Sequence, residues 1–288
     1  MLSPMPDLIC PIDKLPLFPQ EHCLKCEQGH SFDRAKQGYF NLLPVQHKRS
    51  KAPGDNKEMV NARRTFLNNG YYQAISQTLN QTILAKHLNH SNILDAGCGE
   101  GYYLNQLLTQ AQQQNINLQA CGLDISKFAI QAAAKSNKTA TWLVASNKQL
   151  PFPEHYFDTI FCAFGFPVYQ EFANKLKNNG QLLLLEVGEH HQIELRQHLY
   201  PSVKAYSAID LQPAFDCGFT LNDQQNIRFE LTLKQAELQQ LLAMTPHLYR
   251  APKQGLENVQ QLESLTVTID VILYQLTLSD TPATTCNQ

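Results

Sequence analysis

The sequence predicts an α/β protein: a parallel sheet covered by helices on both faces, preceded by a small lobe. Three observations predict it. From about residue 90, short apolar runs alternate with helix-compatible segments, the pattern of repeated strand–helix units. The first run ends in Leu94-Asp95-Ala96-Gly97-Cys98-Gly99-Glu100-Gly101, an acid followed by glycines at alternate positions. A second acid, Asp124, ends the next run.

Residues 1–45 form one compositional block, rich in proline and holding Cys10, His22, Cys23, Cys26 and His30. The block has too few large apolar side chains for a core of its own, so a metal would supply what burial cannot. Residues 46–88 read as a basic loop and a helical linker. Pro53-Gly54-Asp55 marks a turn, and Asn68-Asn69-Gly70 breaks the apolar spacing into two helices. Residues 89–279 carry the strand–helix units. Strands are expected at 93–96, 118–123, 141–145, 157–161 and 182–187, with helices at 102–114, 127–135 and 169–176 between them. A strand at 229–233, a helix at 234–244 and a long β-rich segment at 265–276 follow, and two late strands suit an antiparallel edge pair. Residues 280–288 read as a loose tail.

Composition narrows the function. The 288 residues suffice for one large domain with an appendage, and no apolar segment is long enough to span a bilayer. The N-terminus lacks a basic stretch followed by an apolar core, so a cytoplasmic location is expected. Eight cysteines at this length do not make a disulfide scaffold, and several lie in apolar runs as small buried hydrophobes. The formal net charge is -2, but six basic residues stand against two acids between Gln46 and Arg64. Lys48, Arg49, Lys51, Arg63 and Arg64 are therefore candidates for nucleic-acid phosphates.

The glycine turn selects the cofactor. Tight turning and close ligand approach both favour residues without a Cβ, as at Gly97 and Gly99. A dinucleotide fingerprint has GxGxxG spacing, whereas this turn reads GxGxG and places Glu100 inside it. A carboxylate there would repel a pyrophosphate but tolerates S-adenosylmethionine, which has no phosphate and carries a sulfonium. Asp95 is placed to accept a bond from the methionine amino group or a structured water. Asp124 is placed to accept both ribose hydroxyls, with a helix cap as the alternative. Asn147 and Leu150, after the third strand, are candidates to face adenine.

In the cysteine block, Cys10 and Cys26 are separated by fifteen residues and His30 follows four later. Three residues beyond Cys10 stands Asp13, and zinc accepts carboxylate oxygen as well as sulfur or imidazole. Cys23 is the alternative fourth ligand, since it forms C-x2-C with Cys26. His22 is less suited than either.

Several runs carry a resemblance. They are Gly29 to Lys36, Gly38 to Lys48, Gly54-Asp55 with Glu58-Met59, Ala62 to Leu67, Gly70-Tyr71-Tyr72, the turn at 94–103 and Gly122 to Ser126. With them the chain resembles the bacterial 23S ribosomal RNA (guanine-N1)-methyltransferase family over roughly residues 8–275. The resemblance implies a Rossmann-like class I methyltransferase with a zinc-ribbon-like domain that helps recognise RNA. It also implies a homodimer whose cleft takes a 23S ribosomal RNA hairpin, and no membrane. On the family pattern Cys10, Cys26 and His30 fall on zinc ligands, and Asp13 stands where the family has cysteine. Tyr72, Tyr103, Leu104 and His191 fall on or near cofactor contacts. The chain departs from the family after the fourth strand, with Ala163-Phe164-Gly165-Phe166, and after the fifth, where Glu189 replaces proline.

The reaction expected is methyl transfer to guanine N1. Glu189 and His190, with His191 beside them, are the local candidates to take the N1 proton, because loops at strand C-termini border such a site. Phe164 and Phe166 are candidates to stack on the base. The rival readings are a small-molecule methyltransferase of the same fold and an RNA-binding protein with a vestigial cofactor site.

Overall fold

The computed structural model describes residues 5–44, 53–86 and 90–279. Four short strands make a small antiparallel sheet in the order β1-β2-β3-β4: β1 (Leu8–Ile9), β2 (Pro16–Pro19), β3 (Cys23–Lys25) and β4 (Ser31–Asp33). The next strand, β5 (Phe40–Asn41), leaves that lobe and pairs in parallel with β8 (Thr141–Val144) at the edge of the main sheet. Helices α1 (Lys57–Asn68) and α2 (Gln73–Lys86) follow, separated at Asn69-Gly70. Asn56 caps α1 by accepting the Met59 N–H at 2.9 Å.

The main sheet has eight strands in the order β11-β12-β10-β9-β6-β7-β8-β5. Its parallel core comprises β6 (Ser91–Ala96), β7 (Leu118–Asp124), β8 and β9 (Phe157–Ala163), continued by β10 (Leu176–Val187). Helices α3 (Tyr102–Gln113), α4 (Lys127–Ser136) and α5 (Tyr169–Lys175) connect them. The long strand β12 (Ser264–Leu278) runs antiparallel to both β10 and β11 (Phe219–Lys234), giving the expected antiparallel edge. Helices α6 (Ile193–Leu199), α7 (Gln212–Asp216), α8 (Gln235–Ala243), α9 (His247–Arg250) and α10 (Lys253–Gln260) fill the connections.

Two apolar clusters lie against the sheet. One joins Val144, Leu183, Leu185 and Val271 to α1, α2, α3, α6 and α8. The other joins Leu94, Leu143, Ile160 and Leu184 to α5 and to the lobe residues Leu8, Leu17 and Leu24. The lobe thus buries its few apolar side chains against the sheet, not in a core of its own. Backbone bonds secure the docking: Ile9 N–H donates to the Pro151 carbonyl at 3.0 Å and Leu42 N–H to the Val144 carbonyl at 2.9 Å. Among the described residues, no helix is long and apolar enough to cross a membrane.

Candidate active site

The turn after β6 shapes the site. Gly97, Gly99 and Gly101 all have positive φ, at 92°, 54° and 85°, which L side chains adopt only with strain. The outer two glycines serve different ends. A Cβ on Gly101 would lie 2.6 Å from the ring of the fully buried Trp142, so that glycine lets the turn seat on the core. A Cβ on Gly97 would meet nothing closer than Asn147 Nδ2 at 4.0 Å, so that glycine faces open space.

Buried polar atoms without partners gather at this turn. Both oxygens of Asp95, Glu100 Oε2, the Tyr103 hydroxyl and Asn147 Oδ1 lack a hydrogen bond. Burial pushes the Asp95 carboxyl well above its ordinary range, and the charges of Asp124 and Glu100 add to the shift. The Leu104 N–H opposes that rise without forming a full hydrogen bond. Buried polar groups are ordinarily paired, so a cluster of orphans marks a place for a polar ligand.

Asp124 ends β7 and is half-buried. Its carboxylate accepts the Gly99 N–H at 3.0 Å and the Ser126 N–H at 2.7 Å. The cap of α4 is Ser126, whose hydroxyl accepts the Ala129 N–H, so Asp124 does not act as the N-cap. Burial raises the Asp124 pKa, and the two amides oppose the rise.

On one side of the turn Tyr72, Phe164 and Tyr103 form an aromatic wall, with Phe164 6.4 Å from Tyr72 and 6.3 Å from Tyr103 between ring centroids. Phe164 holds a left-handed backbone at φ 55°, and Phe166 is 89% exposed two residues on. Gln192 donates to the Tyr72 hydroxyl at 3.2 Å and lies 3.0 Å from His191 Nε2. His191 is buried and accepts the Asp270 N–H at Nδ1, and burial lowers its pKa to about 4. It is therefore neutral at ordinary pH and wedged against β12.

A family model described as "RlmA, N-terminal", a zinc ribbon, matches residues 8–51, and one described as "Methyltransferase domain" matches residues 93–180. A Bacillus subtilis (strain 168) protein named "Putative 23S rRNA (guanine-N(1)-)-methyltransferase YxjB" is 32% identical over 85% of this chain and 87% of its own length. The chain belongs to the 23S rRNA (guanine-N1)-methyltransferase family. A Streptomyces fradiae relative, named 23S rRNA (guanine(748)-N(1))-methyltransferase, is 29% identical over 83% of this chain and 84% of its own. The protein is an S-adenosylmethionine-dependent methyltransferase of the class I Rossmann-like fold with a zinc-ribbon-like cluster.

The residues present fit both groups that this family implies. For S-adenosylmethionine, the open face of Gly97 and the orphaned Asp95 oxygens offer room and an acceptor. For zinc, one donor atom each from Cys10, Asp13, Cys26 and His30 lies within 4.8 Å of the others, a spacing one tetrahedral ion can bridge. Asp13 Oδ2 is 2.8 Å from His30 Nδ1 and 3.0 Å from Cys26 Sγ, while the Leu15 N–H fixes Oδ1. The Cys26 thiol so close by holds the Asp13 carboxyl well below its usual range. Burial raises the Cys10 thiol to about 11, a proton that a metal must displace. Cys23 lies outside the cluster, in β3 opposite Asp33. Cys26→Ser is therefore expected to empty the site in metal analysis of purified protein and to remove a thiolate band in its cobalt-substituted form. Cys23→Ser should change neither; loss of metal from Cys23→Ser would overturn the ligand set.

The structure differs from the sequence expectation at Arg63. Arg63 does not face an RNA surface: its guanidinium pairs with Asp55 at 2.5 Å, reaches Glu100 at 3.9 Å and sits 3.3 Å from where a Gly99 Cβ would be. Leu150 packs in the core with its N–H held by Glu171. Glu189 is exposed and offers its carbonyl to the Tyr206 N–H; the half-buried His190 donates its N–H to Asp270. Arg64 is exposed and makes no ion pair among the described residues. Lys48, Arg49 and Lys51 lie outside the described residues.

Three groups escaped the sequence reading. Glu186 ends the apolar run of β10, as Asp95 and Asp124 end theirs, and burial raises its carboxyl to about 7. That shared position was the available signal. Gln192 and Asp270 complete the network behind Tyr72, for which the sequence carries no motif.

Proposed function

We propose that the protein transfers the methyl group of S-adenosylmethionine to N1 of a guanine in a hairpin loop of 23S ribosomal RNA. The observation that carries this reading is that relatives named for that reaction align with the lobe and the catalytic sheet together, over most of both chains. The reading includes a homodimer and a reducing cytoplasm, and the free state of every described cysteine suits that compartment.

The chemistry sets the tasks of the side chains. The cofactor supplies an electrophilic methyl group on a sulfonium. Neutral guanine carries a proton on N1, so the chain must hold the base in line and accept that proton. Phe164 and Phe166, at the end of β9 beside the glycine turn, offer stacking faces for an unpaired base. A loop guanine costs less to present than a paired one. Glu189 and His190 flank the C-terminal end of β10, and Glu186, near neutral in its pKa, shares that end. A group that titrates near the working pH is suited to proton transfer. Most of the rate is assigned to holding N1 against the methyl group, not to a strong base.

The test is methylation of a transcribed 23S hairpin, read by mass mapping and by arrest of reverse transcription, since methyl at N1 blocks base pairing. One modified loop guanine is the expected result. Methyl incorporation into a metabolite pool with none in RNA would reject the reading in favour of a small-molecule enzyme.

A further inference from the structure

The run Ser31 to Gly38 has no part in the metal cluster or the cofactor turn, yet it builds a cavity. The cavity, about 340 Å³, lies where the turn between β4 and β5 meets the C-terminal end of α4. Its wall holds Arg34, Lys36 and Lys138, with Glu21, His22 and Gly38. The Arg34 Nη2 and Lys138 Nζ atoms converge: each lies within 4 Å of the point where a Gly38 Cβ would be, at 3.8 and 3.9 Å. Gly38 itself has φ 101°, so it keeps that space open and lets the turn close. Lys138 is held in place by carbonyl acceptors, donating to Gln37 at 2.6 Å and to Ala134.

No ion pair neutralises these cations among the described residues. The acid on the wall, Glu21, faces His22 at 3.7 Å instead. Two like charges brought together without a counter-ion repel, and a bound anion removes that cost. The cavity has the volume for a phosphate and its water, and its three cationic side chains are exposed. Lys135 adds a fourth positive charge in the last turn of α4.

We propose that this cavity binds a backbone phosphate of the RNA substrate, contacted by Arg34, Lys36 and Lys138. This assignment rests on the proposed RNA reading and extends it to a second anchoring point. The ten residues of α4, about 15 Å long at 1.5 Å per residue, run from the segment after Asp124 to the cavity. That span lies within the length of a short A-form RNA stem. A hairpin that presents its loop at the strand ends thus reaches the cavity with its stem.

The test uses the full protein and a 23S hairpin at several salt concentrations. Each phosphate contact changes log K by about 0.7 to 0.9 per decade of salt, which is about five- to eightfold in affinity at 0.1 M. Arg34→Gln with Lys36→Gln, which removes two of the three cations from that one phosphate, is expected to weaken binding by about five- to eightfold at 0.1 M salt. The salt slope should flatten by about 0.7 to 0.9. Affinity for S-adenosylhomocysteine and thermal stability should stay unchanged, and Arg34→Lys should restore most of the binding. If the wild type binds the hairpin and the double variant binds it with the same affinity and slope, the cavity is not a phosphate site. If the wild type does not bind the hairpin, the RNA reading falls first and the cavity's assignment with it. Weakened cofactor binding or folding in the double variant, not rescued by lysine, would make the residues structural and overturn the proposal.

Discussion

Asp124→Ala is expected to weaken binding of S-adenosylhomocysteine by about a hundredfold or more, with the fold retained. The carboxylate already accepts two backbone N–H groups, from Gly99 and Ser126. A carboxylate offers about four acceptor positions, so two remain for the ribose hydroxyls. Hydrogen bonds to a charged group contribute about 1.5–3 kcal/mol each, and two of them amount to about 3–6 kcal/mol. That range corresponds to roughly a hundredfold to ten-thousandfold in affinity. The substitution also strands the two amides, which costs stability. Asp124→Asn separates the effects: its carbonyl still accepts one amide, while its lost charge weakens the sugar contacts. Calorimetric titration of both variants, with thermal melting alongside, decides the matter. Undiminished affinity in a folded Asp124→Ala protein would remove the sugar-binding role and leave Asp124 as a brace for the glycine turn.

How much of this was legible in the residues depended on whether side chains or backbone carried the signal. The βα units from Ser91 to Val187 were readable because each strand is an apolar run buried on both faces, bounded by polar turns. The break between α1 and α2 was readable because Gly70, at φ 84°, punctuates the pattern. Strand β11 was read only from Phe229, although it begins at Phe219. Its first half, through Asn222-Asp223-Gln224-Gln225-Asn226, is polar and exposed, and the long backbone ladder to β12 holds it across a bulge. No side-chain alternation reports such pairing.

The site shows the same division. Asp95, Asp124 and the glycines were readable because a tight turn demands particular residue types at fixed spacing. Arg63 was misread because charge along a sequence does not say which way a guanidinium points. A helix places it towards Asp55 and Glu100, while its neighbour Arg64 faces solvent. Asp13 was legible as a ligand candidate by spacing alone, and the cluster gathers it with Cys10, Cys26 and His30 while leaving Cys23 aside.

Glu100→Gln is expected to stabilise the ligand-free protein at pH 8 while leaving it unchanged near pH 4. The Glu100 side chain is 3% exposed, and its Oε2 has no hydrogen bond. Burial raises its carboxyl to about 7, with Arg63 opposing the rise from 3.9 Å. Arg63 contributes little more because Asp55 already holds its other nitrogen at 2.5 Å. The sign follows from proton binding. Between the unfolded value, about 4.5, and about 7, the unfolded chain has released the proton and the folded chain retains it. Stability therefore falls as pH rises across that window and stays reduced above it. At about 1.4 kcal/mol per pH unit, the loss is on the order of 3 kcal/mol. Glutamine has no proton to release, so the melting-temperature difference between variant and wild type should open from about zero at pH 4 to several degrees at pH 8. Other titrating groups cancel in that difference. The reason to keep so costly a carboxylate lies in the ligand. Asp95, Glu100 and Asp124 face one turn whose nearest cation is Arg63, and a sulfonium brings a further positive charge. Calorimetry at pH 7 in buffers of different ionisation enthalpy should then show more proton release with S-adenosylmethionine than with the uncharged thioether of S-adenosylhomocysteine. Glu100→Gln should shrink the gap. Equal release by the two ligands, or parallel melting curves across the pH range, would mean that Glu100 is ionised throughout and that its ion pair with Arg63 outweighs its burial.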